Sequence, residues 1–278
     1  MTTTPGAALR RGTGGDRRPD RARGPLPTRV SETPTLPESF ESVLDAGLLE
    51  LGLDLTPDVR RAIAGHARLL LAWTRAINLT AIREPAEMAR LHVLDSLAAA
   101  PLLRAVGADS VLDLGSGGGY PGIPLALVLG GRAMLVDSVG RKARFLETVV
   151  DAIGVGERVA VAAERAEALA RGADRGRWPL VTARAVGSLA ELIEIGLPLA
   201  AVGGRLLAWK RGDLGTELAA ARRAGAALGG VEIRVHEVAV AALPGHRLVE
   251  VVKTAPSPEA FPRSPALRAR RPWAPGAC

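Results

Sequence analysis

The sequence predicts an α/β protein: a mostly parallel seven-stranded sheet, helices on both faces, and a helical part ahead of it. Three observations predict this. From residue 110 onward, short apolar strand-like runs alternate with segments of helical period, the pattern of parallel strands joined by crossover helices. The first such run ends in Gly115-Ser116-Gly117-Gly118-Gly119, a strand-to-helix turn without the side chains that would keep a ligand from the backbone. The 278 residues are 47% hydrophobic and 23% charged, a mix that supports a real core and excludes collagen-like, coiled-coil and fully disordered classes.

The elements follow in order. Residues 1–37 are rich in Pro, Gly, Thr and Arg, lack apolar periodicity and are expected to form a disordered basic tail. The pairs Arg10-Arg11 and Arg17-Arg18 are not followed by the apolar block of an export signal. Residues 38–52 and 57–77 read as helices, with apolar side chains such as Ile63, Leu70 and Trp73 three to four apart. Thr56-Pro57 supplies a capping hydroxyl and a proline suited to a first helical position. A third helix spans 85–103 and completes a helical part over 38–104. The sheet domain, 105–254, begins with a strand at 110–114, followed by the glycine turn and a helix. Strands at 133–137, 158–162, 180–184 and 205–210 come next, with helices from Arg141, at 188–199 and at 214–228. Strands at 231–240 and 247–253 flank Leu243-Pro244-Gly245, close enough for a hairpin, so one terminal strand is antiparallel. Residues 255–278 carry six prolines and read as an extended tail.

No run of 18 apolar residues occurs; the nearest, 123–136, is broken by Gly130, Gly131 and Arg132. No membrane helix is therefore expected, and a cytoplasmic location is. The one cysteine, Cys278, excludes an internal disulfide and a cysteine-based zinc site, and no metal is expected. The net charge of +7 sits in the tails: 1–36 hold seven arginines against three acids, and 253–278 hold five Lys/Arg against one acid. Basic tails suit a nucleic-acid partner. The 33 arginines against three lysines suit a coding bias equally well.

Segment 117–122 formally fits the dinucleotide pattern G-x-G-x-x-G. Placed from the strand end at Leu114, however, the first glycine is Gly115 and the third fingerprint position is Tyr120. Asp113, just before the turn, would repel a pyrophosphate and instead suits a ligand bearing ammonium and sulfonium groups. Asp137, at the end of the second strand, suits ribose hydroxyls. S-Adenosylmethionine satisfies all of these, so methyl transfer leads a dinucleotide oxidoreductase and a non-catalytic cofactor-binding module. The plainer alternatives are that Asp113 caps the next helix and that Asp137-Ser138 opens the helix before Arg141.

Around this loop the chain carries a set of distinctive segments: 78–83 (Asn-Leu-Thr-Ala-Ile-Arg), 92–96 (His-Val-Leu-Asp-Ser), 113–125, which ends Pro-Gly-Ile-Pro-Leu, 137–146, 183–185 and 210–212. In these segments it resembles the RsmG (GidB) family, 7-methylguanosine methyltransferases of bacterial small-subunit (16S) ribosomal RNA. It implies a Rossmann-like methyltransferase fold, S-adenosylmethionine as cofactor, and small-subunit ribosomal RNA or its ribonucleoprotein as partner. It places Gly115, Tyr120, Ala166, Glu167 and Arg184 along the cofactor, beside Asp113, Gly117 and Asp137. Tyr120 departs from the apolar residue usual there, and Arg211 intervenes before Gly212. A methyltransferase of another RNA or of a small molecule is the nearest alternative.

Arg184, ending its strand, is the candidate catalytic residue. Arg141, Lys142, Asn78 and Lys210 are the candidate RNA contacts; Asn78 reads equally as a helix C-cap, and the basic pair as a solvated face. His92 and Asp95 share a helix face and could form a local ion pair or orient groups over the site. His66, His236 and His246 lack metal-ligand spacing and are expected in surface or packing roles, and Trp73 and Trp209 in the core. Neither an Asn/Asp-Pro-Pro-Tyr/Phe stretch nor a placed cysteine is present, which argues against exocyclic-amine and pyrimidine C5 methylation. Guanine N7 already carries an in-plane lone pair, so a site without a strong base is compatible with it.

Overall fold

The computed structural model describes residues 25–273; the expected disorder of 1–24 and the terminal Cys278 lie outside them. The N-terminal helices are α1 (Glu38–Glu50) and α2 (Pro57–Ile77). Thr56 caps α2 as the sequence suggests, its hydroxyl accepting from Val59 N, and Asn78 ends it in the left-handed conformation with φ 53°. The expected single helix over 85–103 is broken. Helix α3 (Pro85–Met88) widens into a π-helical stretch, Ala89–Leu94, resumes as α4 (Asp95–Leu97) and turns into α5 (Ala100–Ala105). Such wide turns re-aim side chains and concentrate at functional sites.

The sheet comprises β1 (Ser110–Leu114), β2 (Arg132–Val136), β3 (Val159–Ala162), β4 (Trp178–Arg184), β5 (Ala200–Arg211), β6 (Val231–Glu237) and β7 (His246–Lys253). Between them run α6 (Gly122–Leu129), α7 (Gly140–Ala152), the short α8 (Ala166–Leu169), α9 (Leu189–Gly196) and α10 (Gly215–Ala227). The strand order is β3-β2-β1-β4-β5-β7-β6. Strands β1 to β5 pair in parallel, and β7 runs antiparallel to both β5 and β6. The sheet is thus mostly parallel with one reversed strand, β7, next to the edge strand β6, as the sequence predicts.

Side chains alternate across the sheet, and this decides which groups meet. Val111 and Leu180 belong to a core shared with α1, α2, α6 and α7, whereas Leu112, Leu114, Val181 and Ala183 belong to a second core with α9 and α10. Asp113, Thr182 and Arg184 therefore face the N-terminal helices. So do Trp209 and, on β7, His246, Leu248 and Glu250. The N-terminal helices share this core with the sheet: Phe40, Leu70 and Leu97 are fully buried in it.

Two expectations about the tails need correction. Residues 25–37 are not free chain. Trp73 Nε1 donates to the Pro27 carbonyl and Arg68 Nε to that of Pro34, both at 2.7 Å. Nor is the chain after Ala255 an extended tail. It forms α11 (Pro265–Arg270) and packs Phe261 and Trp273 against the second core. Composition misleads in both places because neither segment builds a core of its own; long side chains from the domain cap its backbone carbonyls instead.

Candidate active site

The glycine turn is held from three sides. Asp113, fully buried, accepts from the Thr182 hydroxyl at 2.8 Å and from Gly122 N at 3.2 Å. Ser116 bridges the ends of β1 and β2: its N donates to Val136 O, its hydroxyl donates to Asp113 O, and it accepts from Val136 N. His66 Nε2 donates to Gly118 O at 2.6 Å from beneath. Glycine is required at two points. Gly119 has φ +87°, and a Cβ there would lie 2.9 Å from His66 Nε2; one on Gly122 would lie 2.8 Å from the Asp113 carboxylate.

Beside the turn, the carboxyl ends of β1, β4 and β5 and the loop from Leu79 to Ile82 enclose a cavity of about 610 Å³. Gly115, Gly117, Tyr120, Lys142, Arg184 and Lys210, all expected on sequence grounds, line it. At its centre, Arg184 Nη1 donates to Asp95 Oδ2 at 2.9 Å and to Leu91 O at 3.0 Å. Its Nη2 donates to His92 Nδ1 at 3.1 Å. A guanidinium offers only donors, so His92 carries its proton on Nε2 and donates it to the Thr80 hydroxyl at 2.8 Å. Asp95 Oδ1 accepts from His246 Nδ1 at 2.6 Å, and the Asp95 carbonyl accepts from Trp209 Nε1 at 2.7 Å. Asp95 thus joins the helical part to β4, β5 and β7. It does not pair with His92 locally: both side chains accept from the Arg184 guanidinium, Asp95 from Nη1 and His92 from Nη2.

Tyr120 lies between two imidazoles. His66 stacks on it with centroids 4.3 Å apart and His92 with centroids 4.8 Å apart, and the Arg184 guanidinium lies 5.6 Å from its ring centre. Both histidines are neutral near pH 7. Burial lowers His66 to about 4; burial and then the Arg184 charge lower His92 to about 3. Burial raises Asp113 to about 6 against its hydrogen bonds. Burial also acts to raise Asp95, but His246 and Arg184 outweigh it and hold the carboxyl below its ordinary value.

The other expected residues, Asp113, Asp137, Ala166, Glu167, Arg141 and Asn78, sit outside this cavity lining. Asp113 is enclosed beneath the turn with its oxygens engaged, so it fixes the turn rather than facing a ligand; this corrects its assignment as a direct contact. Asp137 accepts from Gly117 N at 3.0 Å and Val139 N at 2.9 Å; a carboxylate has about four acceptor sites, which leaves capacity for hydroxyls. Ala166 is half-buried, and Glu167 is paired with Arg268 at 2.5 Å. Arg141 and Asn78 are exposed, Asn78 as the cap of α2. Lys210 pairs with Glu217 at 2.5 Å. Sequence reasoning missed His246, whose place beside Asp95 depends on the antiparallel register of β7, and Trp209, which is both a core residue and a donor at the site.

A bare glycine turn after β1, an acid closing β2 and a 3-2-1-4-5-7-6 sheet with one reversed strand define an S-adenosylmethionine-dependent methyltransferase. The cradle fits such a cofactor: Gly115 and Gly117, with φ +66° and +53°, present backbone beside Asp137. Among solved structures, an O-methyltransferase from Bacillus cereus in complex with S-adenosylhomocysteine has a similar fold. It is 17% identical, with a TM-score of 0.50, over 68% of this chain and 90% of that one. Residues 60–243 match the model of the GidB family, rRNA small subunit methyltransferase G. The ribosomal RNA small subunit methyltransferase G of Roseiflexus castenholzii is 40% identical over 80% of this chain and 94% of its own. That of Symbiobacterium thermophilum is 38% identical over 84% and 98%. The chain belongs to the GidB family, and the dinucleotide reading falls with that finding.

Proposed function

We infer that the protein transfers a methyl group from S-adenosylmethionine to N7 of a guanine in small-subunit ribosomal RNA, free or within its ribonucleoprotein. The observation that carries this reading is the cavity at the strand ends, held by one arginine and two neutral imidazoles, in a chain of this family. The cofactor supplies an electrophilic methyl group. Gly115, Gly117 and Tyr120 would hold it, Asp137 would take the ribose hydroxyls, and the loop before α8 would lie beside its base. Arg184 is pre-positioned by Asp95, Leu91 and His92, so its guanidinium is set before substrate arrives. Lys142, Lys210 and Arg211 line the same cavity and suit the phosphates flanking a target base, with Arg141 and Asn78 at its margins.

Guanine N7 needs no proton removed before attack. Orientation is then the main task, and holding two reactants in line can contribute roughly 7–11 kcal/mol. Neither His66 nor His92 titrates near neutrality, which supports a rate without a base-dependent limb. The test is single-turnover transfer of labelled methyl to small-subunit ribosomal RNA and to the assembled particle, with the product mapped. Label at a guanine N7 and a flat rate above pH 7 are expected. Label at an exocyclic amine or a ribose hydroxyl, or a limb abolished by His92→Ala, would overturn the reading.

A further inference from the structure

Among the described residues, the chain beyond the family match is fastened by arginines to the short helix α8 and to α9. Helix α8 follows β3, whose carboxyl end lies next to that of β2 and Asp137: Asp137 N donates to Ala162 O at 3.2 Å. In open α/β sheets ligands bind outside the carboxyl ends of the strands. A cofactor with its ribose at Asp137 extends its base toward the end of β3, so the wall beyond is the loop 163–165 and α8.

That wall is fastened from the C-terminal segment. Arg268 Nη2 donates to Glu167 Oε1 at 2.5 Å, with both side chains about nine-tenths buried. Arg268 also ties to the Arg263 carbonyl at 2.8 Å. Arg263 in turn grips Glu194 of α9, which is fully buried, through its backbone N at 2.9 Å and through Nε and Nη2 at 2.8 and 2.5 Å. Trp273 Nε1 donates to the same carboxylate at 2.6 Å. Just after α8, Arg175 donates to the carbonyls of Ala170, Ser257, Pro258 and Phe261, each at 2.9 Å. Arg171 donates to Pro262 O at 3.0 Å. Phe261 and Trp273 pack in the cluster that contains Leu169 and Ala170.

Helix α8 is only four residues long. A single turn does not hold itself together in water, because helix nucleation is unfavourable. Its geometry has to come from what it packs on, and the 255–273 segment provides much of that.

We propose that this segment is a built-in clamp on the base side of the cofactor site, and that Arg268, acting through Glu167, is a positioning residue for cofactor binding. This rests on the reading that the cofactor lies across the ends of β1 to β3. Arg268 touches neither cofactor nor RNA; it fixes the helix that bounds the base. The clamp therefore acts on affinity for the cofactor and leaves the chemical step alone.

The experiment uses the full chain and measures S-adenosylhomocysteine binding by calorimetry, steady-state methyl transfer to small-subunit ribosomal RNA, and thermal unfolding. Arg268→Ala should weaken binding at least fivefold and raise KM for S-adenosylmethionine alike. Its kcat, with both substrates saturating, should stay within twofold. Arg268→Lys should recover most of the affinity, since it restores a charged donor to Glu167. Where Arg268→Ala does not fold, Arg268→Gln, which keeps a donor without the charge, takes its place with the same expectation. Unchanged affinity in the folded variant overturns the clamp. A fall in unfolding temperature with KM unmoved also overturns it, because the segment is then structural only. Ala166→Trp separates the two readings by placing bulk at the start of α8. If it abolishes binding while Arg268→Ala does not, the clamp alone is wrong; if neither alters binding, the placement of the cofactor is wrong and the clamp goes with it.

Discussion

Two buried carboxylates of the same chemical kind meet on one face of the sheet: Asp95, from α4 packed over it, and Glu250, from β7. Each is hydrogen-bonded to one arginine and one histidine, and Glu250 has Arg234 at 3.9 Å besides. Asp95 takes Arg184 at 2.9 Å and His246 at 2.6 Å; Glu250 takes Arg205 at 2.7 Å and His236 at 3.0 Å. In both, the partners outweigh burial and hold the carboxyl below its ordinary value. They differ in position. His246 and Glu250 are four residues apart on β7, and Arg205 pairs with Leu180 of β4 whereas Arg184 pairs with Trp209 of β5. At about 3.3 Å per residue each interval is roughly 13 Å. The Asp95 group lies at the carboxyl ends of the parallel strands, beside the glycine turn, and lines the cavity. The Glu250 group lies lower on the sheet toward its antiparallel edge, away from that cavity. A buried ion pair therefore does not mark a functional site by its chemistry. Its place along the strand direction does, because the strand ends are where loops leave room for a ligand.

The largest test of this contrast is Asp95→Ala. Removing it leaves the largely buried Arg184 and His246 without their shared acceptor, and stripping one partner from a buried pair costs about 3–5 kcal/mol. Denaturant unfolding should show that loss, and methyl transfer should fall at least tenfold because Arg184 loses its orientation. If the rate in the folded variant stays at the wild-type value, Arg184 needs no positioning and the contrast collapses.

A second test uses pH, since the cavity side holds the neutral imidazoles. His66 lies near 4 in the folded protein against 6.5 when exposed. Its neutral form therefore contributes stability that is fully present above 6.5 and is lost as pH falls toward 4. Between pH 7 and 5 that loss is about 2 kcal/mol, at 1.36 kcal/mol per unit. His92 adds a loss of the same sign. Asp113, raised to about 6, works in the opposite sense and regains stability as pH falls from 6 toward 4. The wild type should lose stability on acidification, and His66→Phe should lose about 2 kcal/mol less over the same interval. Parallel unfolding curves for the two proteins would show that His66 is not held neutral by its site.

The smallest effect is expected at the other carboxylate. In Glu250→Ala the freed partners can turn to water, since Arg205 and His236 have side chains 27% and 36% exposed. With that screening, the stability loss should be about 1 kcal/mol. Cofactor affinity and methyl-transfer rate should remain within twofold of wild type. A tenfold drop in rate would mean that the two groups are coupled through β7 and that position on the strand is not what separates them.

Much of the site was legible in the amino-acid sequence. The glycine turn, the acid after β2 and the arginine ending β4 are local signals, because each depends on a residue's place at the end of its own strand. The Asp95 group was not legible. Arg184 and His246 lie 89 and 151 residues from Asp95 along the chain, and the group meets only because the register of β4, β5 and β7 stacks Arg184, Trp209 and the start of β7 beneath the π-helical turn. The roles given to Asp113 and to the C-terminal segment failed for related reasons. Asp113 has the charge to meet a cationic ligand, but the alternation of β1 points it at Thr182 and under Gly122. Residues 255–273 have the composition of a loose tail, but Glu194 and Glu167 wait for them on another surface.

The sequence by itself therefore determined the strand–helix alternation, the place of the turn and the class of chemistry, since these follow from short-range periodicity and from what glycine and charge permit locally. Only the tertiary structure decided which charges are paired, which imidazoles are neutral and which tail is part of the domain. Those depend on burial and on contacts between residues far apart in the chain, and desolvation is a property of the assembled core that no local stretch of residues carries.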